Sequence, residues 1–117
     1  MATACLFLGI EGPRNGREKD AMPHLMGTAI TQLEAFKKEG WFESFDAFAL
    51  TPHSGTLNMG FLIKGERAKL DELRRTDKFE RFSMELNMLF TGYGVIPGVM
   101  LEGMRKVAER NPDLLNK

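Results

Sequence analysis

The chain has 117 residues, with 16 basic and 16 acidic side chains and a formal net charge of zero. This length predicts one domain with its own core, and a hydrophobic content of 43% excludes a disordered chain. The charge balance excludes a strongly basic surface for nucleic acid, and a single cysteine, Cys5, excludes an internal disulfide.

Neither a membrane span nor a secretion signal is predicted. No stretch approaches the ~18 consecutive apolar residues of a membrane helix. The apolar residues near the start follow no basic residue, and Glu11 and Pro13 come soon after them, which is unlike a signal peptide. We therefore expect a cytoplasmic protein with no membrane partner and no nucleic-acid partner.

The first third of the chain predicts a strand followed by a helix. Residues Ala4–Ile10 form a short, continuous apolar run, which is typical of a strand buried on both faces. Residues 17–39 carry apolar side chains three and four positions apart, which predicts an amphipathic helix. Pro23 lies within it and has no backbone N–H, so we expect a bend there, or a late regular start near Asp20.

A hairpin and a second helix follow. Residues 41–50 predict a second, more polar strand, and residues 57–64 predict a third strand that is apolar on both faces. The second helix should break near Thr76. Asp77 with Glu80 then resembles a capping box, from which helical periodicity continues.

The end of the chain predicts a fourth strand over residues 91–97 and a helix over residues 99–110. Strands one and three are the most apolar, so they should be central in an antiparallel sheet of order 4-1-3-2 with both crossing helices on one face. This is an α+β fold of βαββαβ type, with residues 1–98 as the domain and residues 99–117 as its helical extension.

The other face of this sheet is also apolar, and the βαββαβ unit leaves it uncovered. Such a patch is unusually large for a monomer. We therefore expect a homodimer in which large side chains of strands one and three meet across a twofold axis. The C-terminal helix is the competitor, because it could fold back over this face.

Several short motifs carry a resemblance to a known superfamily. They are Gly40 with Glu43-Ser44-Phe45, Pro52-His53-x-Gly55, Lys64-Gly65-Glu66-Arg67 with Leu70 and Leu73, and Gly92-x-Gly94-Val95. Over roughly residues 3–98 the chain resembles a group of uncharacterised bacterial proteins of the dimeric α+β barrel superfamily. The resemblance implies two ferredoxin-like subunits that face each other sheet to sheet, and it brings no established activity.

Enzymes elsewhere in that superfamily include haem-degrading and quinone-forming monooxygenases, isomerases and chlorite dismutases. The haem degraders use an asparagine on the first strand, and Ala4–Ile10 contains none. The second helix contains no histidine to match a haem ligand of the superfamily. The resemblance therefore implies no cofactor, and no His, Cys, Asp or Glu cluster has metal-ligand spacing.

Three side chains are candidates for a ligand site near the hairpin. His53 is a candidate proton donor or acceptor, or it is a turn histidine bonded to nearby backbone. Glu43 would favour the charged form of that histidine, or it faces solvent or pairs across the dimer. Tyr93 would line the same pocket, or it is a packed ring. The other histidine, His24, is expected at the surface, and no catalytic residue is assigned.

Two functions remain open. The first is a small-molecule-binding protein or cofactor-free enzyme with a pocket in a dimeric α+β barrel. The second is a dimeric interaction or regulatory module with no catalytic activity. A pocket lined by the candidate residues favours the first, and a sheet interior filled by Phe and Leu favours the second. The sequence names no substrate and does not decide whether the chain is an enzyme.

Overall fold

A computed structural model describes residues 2–113, and this part of the chain forms six strands and five α-helices. The strands are β1 (Ala4–Ile10), β2 (Gly12–Pro13), β3 (Ser44–Ala49), β4 (Met59–Gly65), β5 (Phe90–Thr91) and β6 (Gly94–Val99). The helices are α1 (Glu18–Pro23), α2 (Ile30–Lys38), α3 (Arg67–Arg74), α4 (Asp77–Leu89) and α5 (Leu101–Arg110). A π-helical segment, the π turn (His24–Ala29), joins α1 to α2. Among these described residues, no helix is both long and apolar enough to cross a membrane.

The longer strands form one antiparallel sheet in the order β6-β1-β4-β3. They correspond to the strands predicted from the sequence, so the predicted order 4-1-3-2 describes this larger sheet only. The short strands β2 and β5 pair in a second sheet, which the sequence did not predict. Gly92 lies between β5 and β6 with a φ of 65°, and this left-handed residue turns the chain from one sheet to the other.

The helix-covered face of the larger sheet holds the core. Side chains alternate along β1, and Leu6 and Leu8 point to this face, where neither is accessible to solvent. They lie opposite Ile63 and Phe61 of β4, which are also buried. The helices add Leu33, Phe36, Leu70, Leu73, Phe79, Phe82, Leu86 and Leu89 to the same core. Each such side chain contributes about 1.5–3 kcal/mol by leaving water.

The first predicted helix is interrupted rather than delayed. The helix begins at Glu18, so the late start near Asp20 is wrong, and Pro23 lies in its sixth position rather than its first turn. Directly after Pro23 the hydrogen bonding changes from α-helical to π-helical. The side chains that face the sheet explain this change. They recur every four residues, at Ala21, Leu25, Ala29 and Leu33.

An α-helix has 3.6 residues per turn, so a stripe with a spacing of four rotates about 40° per turn away from the sheet. A π turn contains more residues than an α turn and restores the alignment. The π turn therefore keeps the two ends of the first helix facing the same core.

The second predicted helix breaks near Thr76, as the sequence indicates, but its cap is one residue earlier than expected. Thr76 Oγ1 accepts a hydrogen bond from the Phe79 N–H at 3.2 Å, and Thr76 has an extended backbone. Asp77 is already the first helical residue. The predicted capping box of Asp77 with Glu80 is therefore wrong. Thr76 instead accepts from one of the free N–H groups at this helix end, that of Phe79.

The opposite face of the larger sheet, the open face (Phe7, Phe48, Leu62 and Ile96), remains accessible to solvent. Phe7 lies directly opposite Leu62 on one side and Ile96 on the other, so the three side chains project together. Ile96 is 58% exposed, and the others are half-buried. The Phe7 and Phe48 rings stack, with centroids 5.8 Å apart. Both faces of the sheet therefore carry large apolar side chains, as predicted, and the open side also carries Asp46, which lies opposite Leu62.

Candidate functional site

An apolar concavity, the helix–strand pocket, lies between the first helix, the edge strand β3 and its neighbour β4. Its volume is about 370 Å³. Its lining residues are all apolar: Met22, Leu25, Met26, Ile30, Ala47, Phe48, Ala49, Met59, Gly60 and Phe61. Ligand sites in proteins are typically concave, mostly apolar and about 300–1,000 Å³ in volume. This pocket has the size and character of a site for a small ligand.

Each wall of the pocket follows from local sequence. Met22 ends α1 and Met26 lies within the π turn, so the interrupted part of the first helix forms one wall. On β3, alternation turns Ala47 and Ala49 towards the helix, opposite Phe61 and Met59 of β4. Alanine is small where strands usually carry branched or aromatic side chains, and this leaves the space open.

The lining determines what the pocket can do. Its methionine side chains are unbranched and polarisable, so they adapt to ligands of different shape. None of the lining side chains is a carboxylate, an amine, an imidazole or a hydroxyl. The walls therefore supply apolar contact but no group for acid–base catalysis, and the chemistry they support is binding.

The structure places His53 in the hairpin loop, exposed, with both ring nitrogens bonded to its own loop. Nε2 lies 2.7 Å from the Leu57 carbonyl oxygen, and the Gly55 N–H donates to Nδ1 at 2.9 Å. Since a carbonyl only accepts, the ring donates from Nε2, as in a neutral imidazole. A Cβ on residue 55 would lie 2.8 Å from the ring, which explains Gly55. This matches the alternative of a turn histidine, and a ligand role for His53 stays a prediction.

Glu43 lies at the other end of the hairpin. Its N–H donates to the Lys64 carbonyl at 2.9 Å, just before β3 begins. The six residues of β3 separate it from the His53 loop, a distance of about 20 Å at 3.3 Å per residue. The hypothesis that brings Glu43 to His53 therefore has no support in this geometry. The other acidic residue of the strand, Asp46, pairs with Lys64 Nζ at 2.9 Å on the same chain.

Tyr93 occupies a third place, between α4 and β6. Its hydroxyl lies 2.8 Å from Ser83 Oγ, and burial raises its pKa to about 12, against a smaller opposing effect of that hydrogen bond. The ring lines a separate shallow concavity of about 360 Å³ with Ser83, Met84 and Asn87. At neutral pH its hydroxyl stays protonated and serves as a structural hydrogen-bonding group. The three candidate residues thus lie in three different places.

The position of His24 corrects the expectation of a surface residue. It opens the π turn, its side chain is 16% exposed, and its Nε2 lies 3.6 Å from Glu85 Oε2 of α4. That distance is longer than a hydrogen bond, and Nε2 has no hydrogen-bonding partner within residues 2–113. The apolar spacing in the sequence showed that His24 lies near the start of the first helix. It did not show which side of the helix the His24 side chain faces.

Two further observations bear on cofactors. Cys5 is buried as expected, and burial raises the pKa of its thiol, which makes it a poor nucleophile or metal ligand. Across the described part of the chain, no group of three or more His, Cys, Asp or Glu side chains is arranged to hold a metal ion.

Comparison with protein-family models and with curated proteins finds no match. Solved structures do match. A dimeric ferredoxin-like protein of unknown function from Jannaschia sp. CCS1 is similar at 18% identity and a TM-score of 0.64, covering 84% of this chain and 97% of that one. The chain has a ferredoxin-like fold.

Two further solved structures are similar to the chain. An ethyl tert-butyl ether d (ethd) family protein from Bacillus halodurans C-125 has 14% identity and a TM-score of 0.63, covering 85% of this chain and 99% of that one. A dimeric protein of unknown function and ferredoxin-like fold from Bacteroides fragilis NCTC 9343 has 7% identity and a TM-score of 0.61, covering 83% and 96%. Identities this low establish the fold alone.

Sequence reasoning missed the helix–strand pocket. Its signals were present: the spacing of four along the first helix, and two alanines on the same side of an edge strand, Ala47 and Ala49. Neither signal contains a titratable side chain, which is the feature that marks most catalytic sites in a sequence.

Proposed function

We propose that this chain is a small-molecule-binding protein that works as a homodimer. The observation that carries the proposal is the helix–strand pocket, a concavity of about 370 Å³ with an entirely apolar lining. Since the pocket is built from one chain, each subunit of the dimer holds its own site. The apolar walls favour binding over catalysis, so an enzymatic role is not part of the proposal.

The open face supports the homodimer. Phe7, Leu62 and Ile96 project from central and edge strands onto a surface that water still reaches. A second copy packed on it would remove these side chains from water, and a stable interface of this kind buries well over ~1,000 Å² in total. Two of the similar structures are themselves dimeric. Ile96→Glu places a charge in this interface, so sedimentation should find a dimer for the wild type and a monomer for the variant.

A fluorescent probe tests binding in the helix–strand pocket. N-phenyl-1-naphthylamine is uncharged and brightens when it leaves water, and we expect saturable binding to the full chain. Ala47→Phe fills the pocket from β3, where an aromatic side chain suits a strand, and should weaken binding at least about tenfold. Unchanged affinity in this variant would refute the pocket as the site.

Gly94→Val is the matched control on the other face of the sheet. Gly94 and Gly9 form the floor of a trough of about 350 Å³ beside Phe7 and Ile96. A Cβ at Gly94 meets no atom within 4 Å, so valine fills the trough without a clash at that atom. We expect wild-type affinity in Gly94→Val, and a loss there would assign the probe to the open face. His53→Ala likewise should bind normally, whereas weaker binding would support the hairpin site.

The alternative function is a dimeric interaction module that binds no small molecule. The stacked Phe7 and Phe48 rings on the open face are the observation in its favour, because they offer a flat aromatic surface to another protein chain. The two functions separate in one experiment. A dimer that does not bind the probe supports the module, and a dimer that loses probe binding through Ala47→Phe supports the binding protein.

Two further expectations accompany the proposal. Residues 1–98 are the domain and residues 99–117 its helical extension, although Val99 still ends β6 and the helix itself begins at Leu101. Residues 114–117 lie outside the described part. The hydrogen bond from the Met100 N–H to the Thr3 carbonyl, at 2.9 Å, supports the extension because it ties the residue before α5 to the residue before β1. A cytoplasmic location is supported by the buried, unpaired thiol of Cys5.

A further inference from the structure

We propose that the π turn (His24–Ala29) is the element that aligns one wall of the helix–strand pocket, and that the pocket selects uncharged, apolar ligands. This inference rests on the binding function proposed above. It adds the element that holds the helical wall in place and a chemical class for the ligand.

The spacing of the pocket residues is the first argument. Met22, Met26 and Ile30 follow one another at intervals of four, and all three line the pocket. On a regular α-helix, side chains four apart rotate about 40° per turn, so Ile30 would lie about 80° around the helix from Met22. The wider π turn keeps the three on the side that faces β3. With this spacing of four, the π turn therefore aligns this wall of the pocket.

The composition of the π turn is the second argument. Gly27 is exposed, and a Cβ there would meet no atom within 4 Å, so packing does not require glycine. Glycine nevertheless weakens a helix relative to alanine, and Pro23 just before it cannot donate a backbone hydrogen bond. Thr28, also exposed, is a further weak helix former. The residues of this segment therefore disfavour a regular α-helix. Single π turns inside α-helices are frequent at functional sites.

The lining defines the ligand. A charged group inside the pocket would lose its water shell without gaining a polar side-chain partner, which is costly. Met22 and Met26 are 36% and 72% exposed, so flexible thioethers stand at the mouth rather than charged side chains. Neutral aromatic or aliphatic molecules fit this description, and carboxylates, phosphates and amines do not.

Two dyes test the chemical class. N-phenyl-1-naphthylamine and 1-anilinonaphthalene-8-sulfonate share one ring system and differ by a sulfonate. The full chain should bind the neutral dye at least about tenfold more tightly than the sulfonate. Equal affinities, or tighter binding of the sulfonate, would overturn the assignment of an uncharged ligand.

Two substitutions test the π turn. Met26 lines the pocket from within the π turn, and Met26→Lys places a charged side chain there. Binding of the neutral dye should fall at least about tenfold. Gly27→Lys is the matched control, because Gly27 is the next residue of the π turn, is exposed and does not line the pocket. This control should bind within about twofold of the wild type.

The outcomes are distinct. A Met26→Lys variant that keeps wild-type affinity, or an equal loss of affinity in Gly27→Lys, would overturn the role of the π turn, and the proposed function would still stand if Ala47→Phe loses binding. If the wild type does not bind the neutral dye, the proposed function itself fails.

Discussion

The first helix and α4 contribute to the same core but pack on it in different ways. α4 starts at the Thr76 cap, runs regularly to Leu89 and buries a complete apolar stripe. The first helix is longer, contains the π turn, and leaves Met22 and Met26 in contact with solvent. This difference indicates different roles for the two helices: α4 stabilises the domain through its buried side chains, and the first helix buries less of its surface and forms one wall of the pocket.

The largest expected effect comes from removing a core ring on α4. Phe82 is 1% exposed and contacts Phe79 and Phe36 ring to ring. Phe82→Ala should lower the free energy of unfolding by about 3–5 kcal/mol, because it loses apolar burial and leaves a cavity. Met26→Ala on the first helix is the counterpart and should change it by less than about 0.5 kcal/mol. Urea unfolding at a fixed protein concentration measures both, and similar losses would contradict the division between the helices.

The second effect is a loss of stability at alkaline pH through Tyr93, which bonds to α4. Its folded pKa is about 12, above the ordinary value of 10.0, so folding favours the neutral hydroxyl. The stabilisation is complete below pH 10 and is lost as the pH rises through 12, to a total of about 2–3 kcal/mol.

The buried thiol of Cys5 also has a raised pKa, so it too lowers stability as the pH rises. This effect is the same in the wild type and in Tyr93→Phe, so the difference between the two proteins isolates the contribution of Tyr93. Unfolding free energies between pH 9 and 12 should fall less steeply in the variant. Identical slopes would show that Tyr93 is not the group responsible.

The third effect lies in the first helix. Pro23→Ala restores a backbone donor to a helical position that proline disfavours by about 3 kcal/mol. Proline also limits the unfolded chain, which offsets up to about 1 kcal/mol of this gain. We expect a net stabilisation of about 2 kcal/mol by urea unfolding, and no gain would mean that the π turn already accommodates Pro23 without cost.

The smallest effect is at the start of α4. Thr76→Ala removes the acceptor for the Phe79 N–H and should lower the free energy of unfolding by about 1 kcal/mol. Thr76→Ser keeps the hydroxyl and should stay close to the wild type. If Asp77 capped the helix instead, Asp77→Ala would cost more than Thr76→Ala.

The sequence predicts most of this fold because its signals are local. The apolar run Ala4–Ile10 and the hairpin define the central and edge strands, and two crossing helices on one face leave few topologies. The π turn was not predicted, although the spacing of four residues from Met22 to Ile30 indicates it. Apolar residues that recur three and four positions apart are typical of an ordinary α-helix, so the pattern as a whole predicted one. The N-cap shifted by one residue because Asp77 and Thr76 are both good capping residues.

The candidate site was much harder to predict. His53, Glu43 and Tyr93 all flank edge strands of the predicted sheet, but β3 separates the first two and Tyr93 bonds to Ser83 instead. Side-chain direction in a loop depends on hydrogen bonds such as those between His53 and its own turn. An apolar pocket arises from small side chains facing each other across two elements, which no local pattern records.

Methyl NMR of the methionines tests the central claim most directly. Met22 and Met26 of the first helix and Met59 of β4 line the helix–strand pocket, and Met84 and Met88 are exposed on α4. On titration with N-phenyl-1-naphthylamine, the methyl signals of the first three should shift with one affinity, and those of Met84 and Met88 should not. Shifts at Met84 alone would place the ligand beside Tyr93, and no methionine shift on saturation with the dye would contradict the pocket.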